Sequence, residues 1–228
     1  MFFLCKKKGM DIYMELSFLL AMDVVGTIAF AISGAMLAIK KEMDIFGVNI
    51  LAIMTAAGGG VLRDVFIGEI PPKFFQNPVY TLLMVISASL VFFLVYFGKM
   101  GGQLFSKVFE KVLFLSDTLG LAAFTVDGVS VGMHTGYGDN LFLVISLGVL
   151  TGVGGGIIRD VLATEKPYVF VRHIYACASI LGALITAYLW HVTGENYAVA
   201  IGFVTVIVIR VLAATFRWNL PRIHQDTP

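Results

Sequence analysis

Seven apolar stretches, each close to the ~20 residues that carry a helix across a bilayer, occupy most of the chain, at 16–39, 45–67, 78–98, 112–133, 140–162, 169–190 and 197–216. Lipid offers no partner to a free backbone N–H or C=O. Runs of this length without period-two alternation exclude a membrane barrel, so the spans are expected to be helical. With 58% apolar and 14% charged residues and a mean hydropathy of +0.90, the chain has too little polar surface to cover a water-soluble domain. The fold class that follows is an all-α integral membrane protein of seven transmembrane helices.

Before any motif, the chain shows an internal repeat. Asp23-Val-Val-Gly26-Thr-Ile-Ala-Phe30-Ala-Ile-Ser33-Gly34 aligns with Asp117-Thr-Leu-Gly120-Leu-Ala-Ala-Phe124-Thr-Val-Asp127-Gly128, 94 residues on. Gly58-Gly59-Gly60-Val-Leu-Arg63-Asp64-Val65 aligns with Gly154-Gly155-Gly156-Ile-Ile-Arg159-Asp160-Val161, 96 residues on, and Pro71 and Phe74 continue onto Pro167 and Phe170. Each unit holds three spans, an odd number, so the second copy enters the membrane upside down. The two halves are expected to pack about a pseudo-two-fold axis in the membrane plane. The division expected is an N-terminal tail 1–15, a first repeat 16–98, a linker 99–111, an inverted second repeat 112–191, a seventh helix 192–216 and a C-terminal tail 217–228.

The two sides of the membrane differ in basic residues. Lys40, Lys41, Lys99, Lys107, Lys111, Lys166, Arg172, Arg217 and Arg222 fall on one side, and Lys73, with Lys6 to Lys8 where the start is Met1 rather than Met10 or Met14, falls on the other. The positive-inside rule puts the richer side, with the C-terminus, in the cytoplasm and the N-terminus outside. The apolar run after Lys8 is long enough to span and no small-residue cleavage site follows it, so the first span is kept as a helix.

The glycine triplets carry the strongest expectation. Three adjacent glycines cost a helix interior roughly 1 kcal/mol each relative to alanine, and they point in three directions, whereas close helix packing wants small residues four apart. A break or kink at Gly58–Gly60 and Gly154–Gly156 is therefore expected. Its freed carbonyls would line a pathway, since irregular backbone at membrane depth is tolerated only beside protein or a water-filled cavity. Arg63 and Asp64, like Arg159 and Asp160, follow the triplets by three and four residues. Either they snorkel as helix-end charges, or they are buried and act as a gate, each arginine pairing away from its neighbouring aspartate because adjacent helix residues diverge by about 100°. Asp127 replaces Ser33 of the first copy and breaks the symmetry. It can attract a cation or be held by neighbouring helices.

Several classes are excluded. A net charge of +1 spread over short loops gives no nucleic-acid footprint. Cys5 and Cys177 lie in unlike contexts without ligand spacing, His134, His173 and His191 are scattered, and no His-Glu-x-x-His or dinucleotide fingerprint occurs. No cofactor, resident metal or enzymatic activity is expected.

The two Gly-Gly-Gly-x-x-Arg-Asp-Val segments, set in the second and fifth spans of a seven-span inverted repeat, resemble the trimeric intracellular cation (TRIC) channel family over roughly 16–216. The prokaryotic branch is the closer, since the Lys-Glu-Val motif of the animal proteins is missing. The resemblance implies a homotrimer in a prokaryotic cell membrane. It also implies a pore in each protomer, permeable to K+ and Na+, beside glycine-kinked second and fifth helices. The same family has also been labelled glycine transporter, which keeps a secondary transporter of a small solute such as an amino acid as the alternative.

Overall fold

The structure, a computed structural model, describes residues 2–98, 102–171 and 174–218. Lys99, Arg172, His173 and Arg222, and all but the first two residues of the expected C-terminal tail, lie outside the described residues. The chain order is α1 (Phe2–Lys40), α2 (Ile45–Phe66), a single-turn α3 (Lys73–Gln76), α4 (Pro78–Phe97), α5 (Gly102–Gly132), α6 (Leu141–Leu162), a single-turn α7 (Tyr168–Val171), α8 (Tyr175–Thr193) and α9 (Glu195–Thr215). Seven of these are long and apolar enough to cross a membrane, over Leu19–Lys40 of α1, all of α2 and α4, Val108–Tyr137 of α5 and its continuation, and all of α6, α8 and α9. The chain is a multi-pass integral membrane protein.

Local chemistry sets the helix starts. Asp44 accepts the Gly47 N–H at 2.7 Å ahead of α2, and Asn140, at the matching place ahead of α6, accepts the Leu143 N–H at 3.1 Å. Asn77 caps α4 in the same way, with Pro78 at its first position. The turn after α5 is closed by Gly136 in the left-handed region, at φ 85°.

The sixth span begins at Tyr175, not at 169, because residues 168–171 form the separate α7. The cause is Asp160, whose Oδ2 accepts the Tyr168 N–H at 2.8 Å and ties the loop back onto the end of α6. Asp64 does the same to the Lys73 N–H, also at 2.8 Å, and sets α3. These loops also shift the repeat register. Phe75 N–H bonds to the Pro72 carbonyl as Phe170 N–H does to that of Pro167, both at 2.9 Å. The counterpart of Pro167 is therefore Pro72 rather than Pro71, and that of Phe170 is Phe75 rather than Phe74.

The core is built on four helices. α1 lies along α5 and α2 crosses α6, so each pair joins equivalent helices of the two repeats. α4 packs on α1 and α2, while α8 packs on α6 and α9. α4 buries only Met84 and Ala88, leaving Leu82, Ile86, Leu90 and Phe93 exposed, as suits a helix that faces lipid.

The expected helix breaks are absent. α2 runs helical through Gly58–Gly60 and α6 through Gly154–Gly156. No carbonyl is freed by a break, and the notion of a carbonyl-lined path at the triplets falls with it. The glycines serve contact instead. A Cβ built on Gly59 would lie 2.1 Å from the Thr151 carbonyl oxygen, and one on Gly155 would lie 2.2 Å from that of Thr55. Thr55 and Thr151 are themselves equivalent in the repeat, so the crossing is reciprocal about the pseudo-two-fold. Gly58 and Gly154 lie under the side chains of Ile158 and Leu62, at 2.6 and 3.2 Å from the same virtual Cβ. Three glycines in a row thus meet three different surfaces. The argument that close packing needs glycines only four apart holds for one partner on one face and fails for a helix surrounded by several.

This packing makes a graded prediction. Gly59→Ala and Gly155→Ala should each destabilise the protein by about 1–3 kcal/mol, the usual cost of overpacking. Gly60→Ala, whose new methyl group meets only an Arg63 nitrogen at 3.8 Å, should be neutral or stabilising by up to about 1 kcal/mol. Thermal unfolding in detergent reads the order, and equal losses at all three positions would contradict it.

Candidate functional site

The repeat brings its charged residues together in two pseudo-equivalent clusters, one near the end of α2 and one near the end of α6. Neither arginine snorkels. Arg63 is 6% exposed and Arg159 is fully buried. A bare guanidinium at that depth is costly, so each must be satisfied on several sides.

Each arginine first takes its own neighbour, contrary to the expectation that adjacent helix residues point too far apart. Arg63 Nε donates to Asp64 Oδ1 at 2.9 Å, and Arg159 Nε donates to Asp160 Oδ1 at 2.8 Å. The long arginine side chain folds back over the helix end, and the aspartate's other oxygen holds the following loop. Each arginine then reaches across the pseudo-two-fold. Arg63 Nη1 donates to Asp127 Oδ2 of α5 at 2.5 Å, and Arg159 Nη1 donates to Ser33 Oγ of α1. Ser33 and Asp127 are equivalent positions, so their difference in charge changes the two clusters.

The second cluster is closed. Arg159 Nη1 also donates to Asp117 Oδ1 at 2.8 Å. The Tyr175 hydroxyl donates to the same oxygen at 3.3 Å, and Arg210 Nη2 of α9 donates to Asp117 Oδ2 at 3.2 Å. Two acids, Asp117 and Asp160, meet two arginines, and neither Asp117 nor Arg159 has any exposed side-chain surface.

The first cluster is open. Asp23, the counterpart of Asp117, faces the Tyr80 hydroxyl and shares a cavity of about 230 Å³ with Thr27, Arg63, Asp64, Lys73, Tyr80, Phe124 and Asp127, among others. Three carboxylates there stand against two basic side chains. Asp127 keeps 19% of its side chain exposed, whereas Asp117 and Arg159 of the other cluster keep none. The cavity ends on Phe124, which meets Phe30 edge to face with ring centroids 5.2 Å apart on the pseudo-two-fold.

Of the expected site residues, Arg63, Asp64 and Asp127 gather in the first cluster, and Arg159, Asp160 and Ser33 in the second. Of the triplets only Gly60 lines the cavity; its counterpart Gly156 lies against the Tyr175 hydroxyl, 2.9 Å from a virtual Cβ, and the other four lie in the helix crossing. Sequence reasoning missed Tyr80, Tyr175, Lys73 and Arg210. The signal for Arg210 was present, a single charge inside an otherwise apolar span. The tyrosines, at a repeat offset displaced by the loop, gave none. His134, expected to be structural, pairs with Glu195 at the start of α9, Nε2 to Oε1 at 2.9 Å.

An inverted repeat of membrane helices with buried charge clusters at its interface is the architecture of channels and secondary transporters. The sequence model of the family described as "Glycine transporter" matches residues 20–96 and 114–191. The UPF0126 membrane protein YvgT of Bacillus subtilis is 40% identical over 200 residues, 88% of this chain and 94% of that one. Among solved structures, a prokaryotic TRIC channel in 0.5 M KCl is 30% identical with a TM-score of 0.82, over 90% of this chain and all of that one. The TRIC trimeric intracellular cation channel orthologue from Rhodobacter sphaeroides is also 30% identical, with a TM-score of 0.79 over 88% and 98% of the two chains. This chain belongs to the TRIC family, whose sequence model bears the glycine-transporter description.

The contrast between the clusters is testable by unfolding. Arg159→Gln removes the cation shared by two buried carboxylates and should cost about 3–5 kcal/mol. Arg63→Gln, where water can solvate Asp127, should cost less, about 1–3 kcal/mol. Chemical or thermal melts of the purified variants decide the order.

Proposed function

We propose that the protein is a passive channel for monovalent cations, potassium or sodium, with one pathway per protomer of a homotrimer. The observation that carries this reading is the open cavity at Asp23 and Asp127, where acidic side chains outnumber basic ones. A cation there exchanges hydration water for carboxylate, hydroxyl and threonine oxygens. The cavity's low-dielectric walls raise its local concentration. The kinship with TRIC channels supports the ion, and the trimeric description of the Rhodobacter sphaeroides orthologue supports the assembly. The path runs along the α1, α2, α5 and α6 interface past side chains, with Phe30 and Phe124 as its narrowest apolar stretch, in place of a route between broken helices. The positive-inside rule favours a cytoplasmic C-terminus in a prokaryotic cell membrane, with the Asp23 cavity opening to the outside.

A second reading has one observation in its favour. The same cavity holds Arg63 for a carboxylate and Asp23 for an ammonium group, which suits a zwitterion such as glycine, in line with the family's other description.

Single-channel recording in a planar bilayer under a KCl gradient tests the first reading. Discrete openings that reverse near the potassium potential are expected. Asp23→Asn, which removes a carboxylate to which no guanidinium hydrogen-bonds among the described residues, should lower conductance about tenfold at low salt. A silent bilayer together with uptake of radiolabelled glycine into proteoliposomes would instead establish the transporter.

A further inference from the structure

α9 has no counterpart in the repeat, yet it supplies one of the charges that make the two clusters unequal. The comparison is internal. Asp23 and Asp117, Arg63 and Arg159, and Tyr80 and Tyr175 occupy matching places. Around Asp23 there is the Tyr80 hydroxyl and a cavity of about 230 Å³, and among the described residues no guanidinium hydrogen-bonds to this carboxylate. Around Asp117 the corresponding space holds the guanidinium of Arg210, stacked near the rings of Tyr175 at 4.7 Å and Phe114 at 5.1 Å. One half has an acidic void, and the other has the same carboxylate with a cation built in.

The hydrogen bonding of that cation is looser than that of Arg159. Arg210 Nη2 meets Asp117 at 3.2 Å, longer than the 2.8 Å of Arg159 on the same carboxylate, and Arg210 Nε is buried without a hydrogen-bond partner. Asp117 would keep Arg159 and Tyr175 if Arg210 left. A second cavity, of about 300 Å³, lies at this end of the molecule, lined by Lys40, Glu110, Lys111, Tyr168 and Arg210 among others. Arg210 lines it and Asp117 does not, so the guanidinium stands between the cavity and the carboxylate.

We propose that Arg210 is a tethered counter-cation: it takes at Asp117 the position that a mobile monovalent cation takes at Asp23, and so blocks the second mouth of the pathway. The inference rests on the cation-pathway reading. A positive charge already seated against Asp117 repels a second one, and Lys40 and Lys111, offset only in part by Glu110, add to the barrier. Withdrawal of Arg210 exposes the carboxylate and makes the two mouths alike. α9, the helix outside the repeat, is thereby the element that sets conduction.

Two measurements test this. The first is 86Rb+ flux through the purified full-length protein in proteoliposomes. Arg210→Gln should raise flux about tenfold, while Arg210→Lys, which keeps the charge, should stay within about twofold of the wild type. A merely structural arginine would make lysine nearly as harmful as glutamine, since both lose the planar fork, and would lower flux. Arg210→Gln flux at or below that of a conducting wild type overturns the proposal.

The second measurement does not need conduction. Arg210→Cys, in a background with Cys5→Ser and Cys177→Ser, is reacted with a cationic and an anionic methanethiosulfonate reagent. Asp117 should make the cationic reagent about tenfold faster. The cavity's own charges, Lys40 and Lys111 against the single acid Glu110, would favour the anionic one, so the sign is diagnostic. Equal rates, an anionic preference or no reaction in folded protein overturns the proposal. If no variant conducts, the channel reading fails, and the rate ratio still decides the role of Arg210.

Discussion

The crossing of α2 and α6 is the contact on which the other features depend. Glycine backbone on each helix meets a threonine carbonyl on the other, at Gly59 with Thr151 and at Gly155 with Thr55, so no side chain fits at either position without parting the helices. In lipid there is little hydrophobic force between helices, and close contact of small residues takes its place. The same crossing fixes where the last turns of the two helices lie, and therefore where Arg63 and Arg159 emerge. Matched glycines extend the contact outward. A Cβ on Gly34 would meet Thr55 Oγ1 at 2.6 Å, and one on Gly128 would meet Thr151 Oγ1 at 2.5 Å, which seats α1 and α5 against the pair.

With the arginines placed, burial dictates the rest. A guanidinium has five N–H donors and cannot shed its proton, so it must collect acceptors from several helices. Arg159 takes them from its own helix end, from α5 and from α1. The acids then order the chain beyond. Asp64 and Asp160 each give one oxygen to the arginine and the other to a loop N–H, which ties the loops, the single-turn helices and the charge clusters into one unit. A substitution at either aspartate would loosen the loop and the arginine together.

Much of this was legible in the sequence. The seven spans, the inverted repeat and the alternative in which Arg63 and Arg159 are buried and paired follow from run length, from an odd number of spans per unit and from the high cost of a lone charge in lipid. The interruption of the helices expected at the triplets was misjudged because helix propensity is a local quantity. It assigns a cost to each glycine and is silent about the helix that replaces the missing side chain with its own backbone. Burial of the arginines against their neighbouring aspartates was hidden for a similar reason. The divergence of adjacent Cβ atoms is real, but it constrains a short side chain far more than one with four rotatable bonds.

The asymmetry between the halves is the last step and the hardest to see from sequence. Two differences within the repeat, Ser33 against Asp127 and Tyr168 against Lys73, and one arginine outside it, Arg210, turn two equivalent clusters into an open acidic one and a closed neutral one. A perfectly symmetric pair would present both sides of the membrane with the same site and the same barrier. Adding a helix beyond the repeat lets one half keep its cavity while the other is filled, without altering the glycine crossing that both halves share.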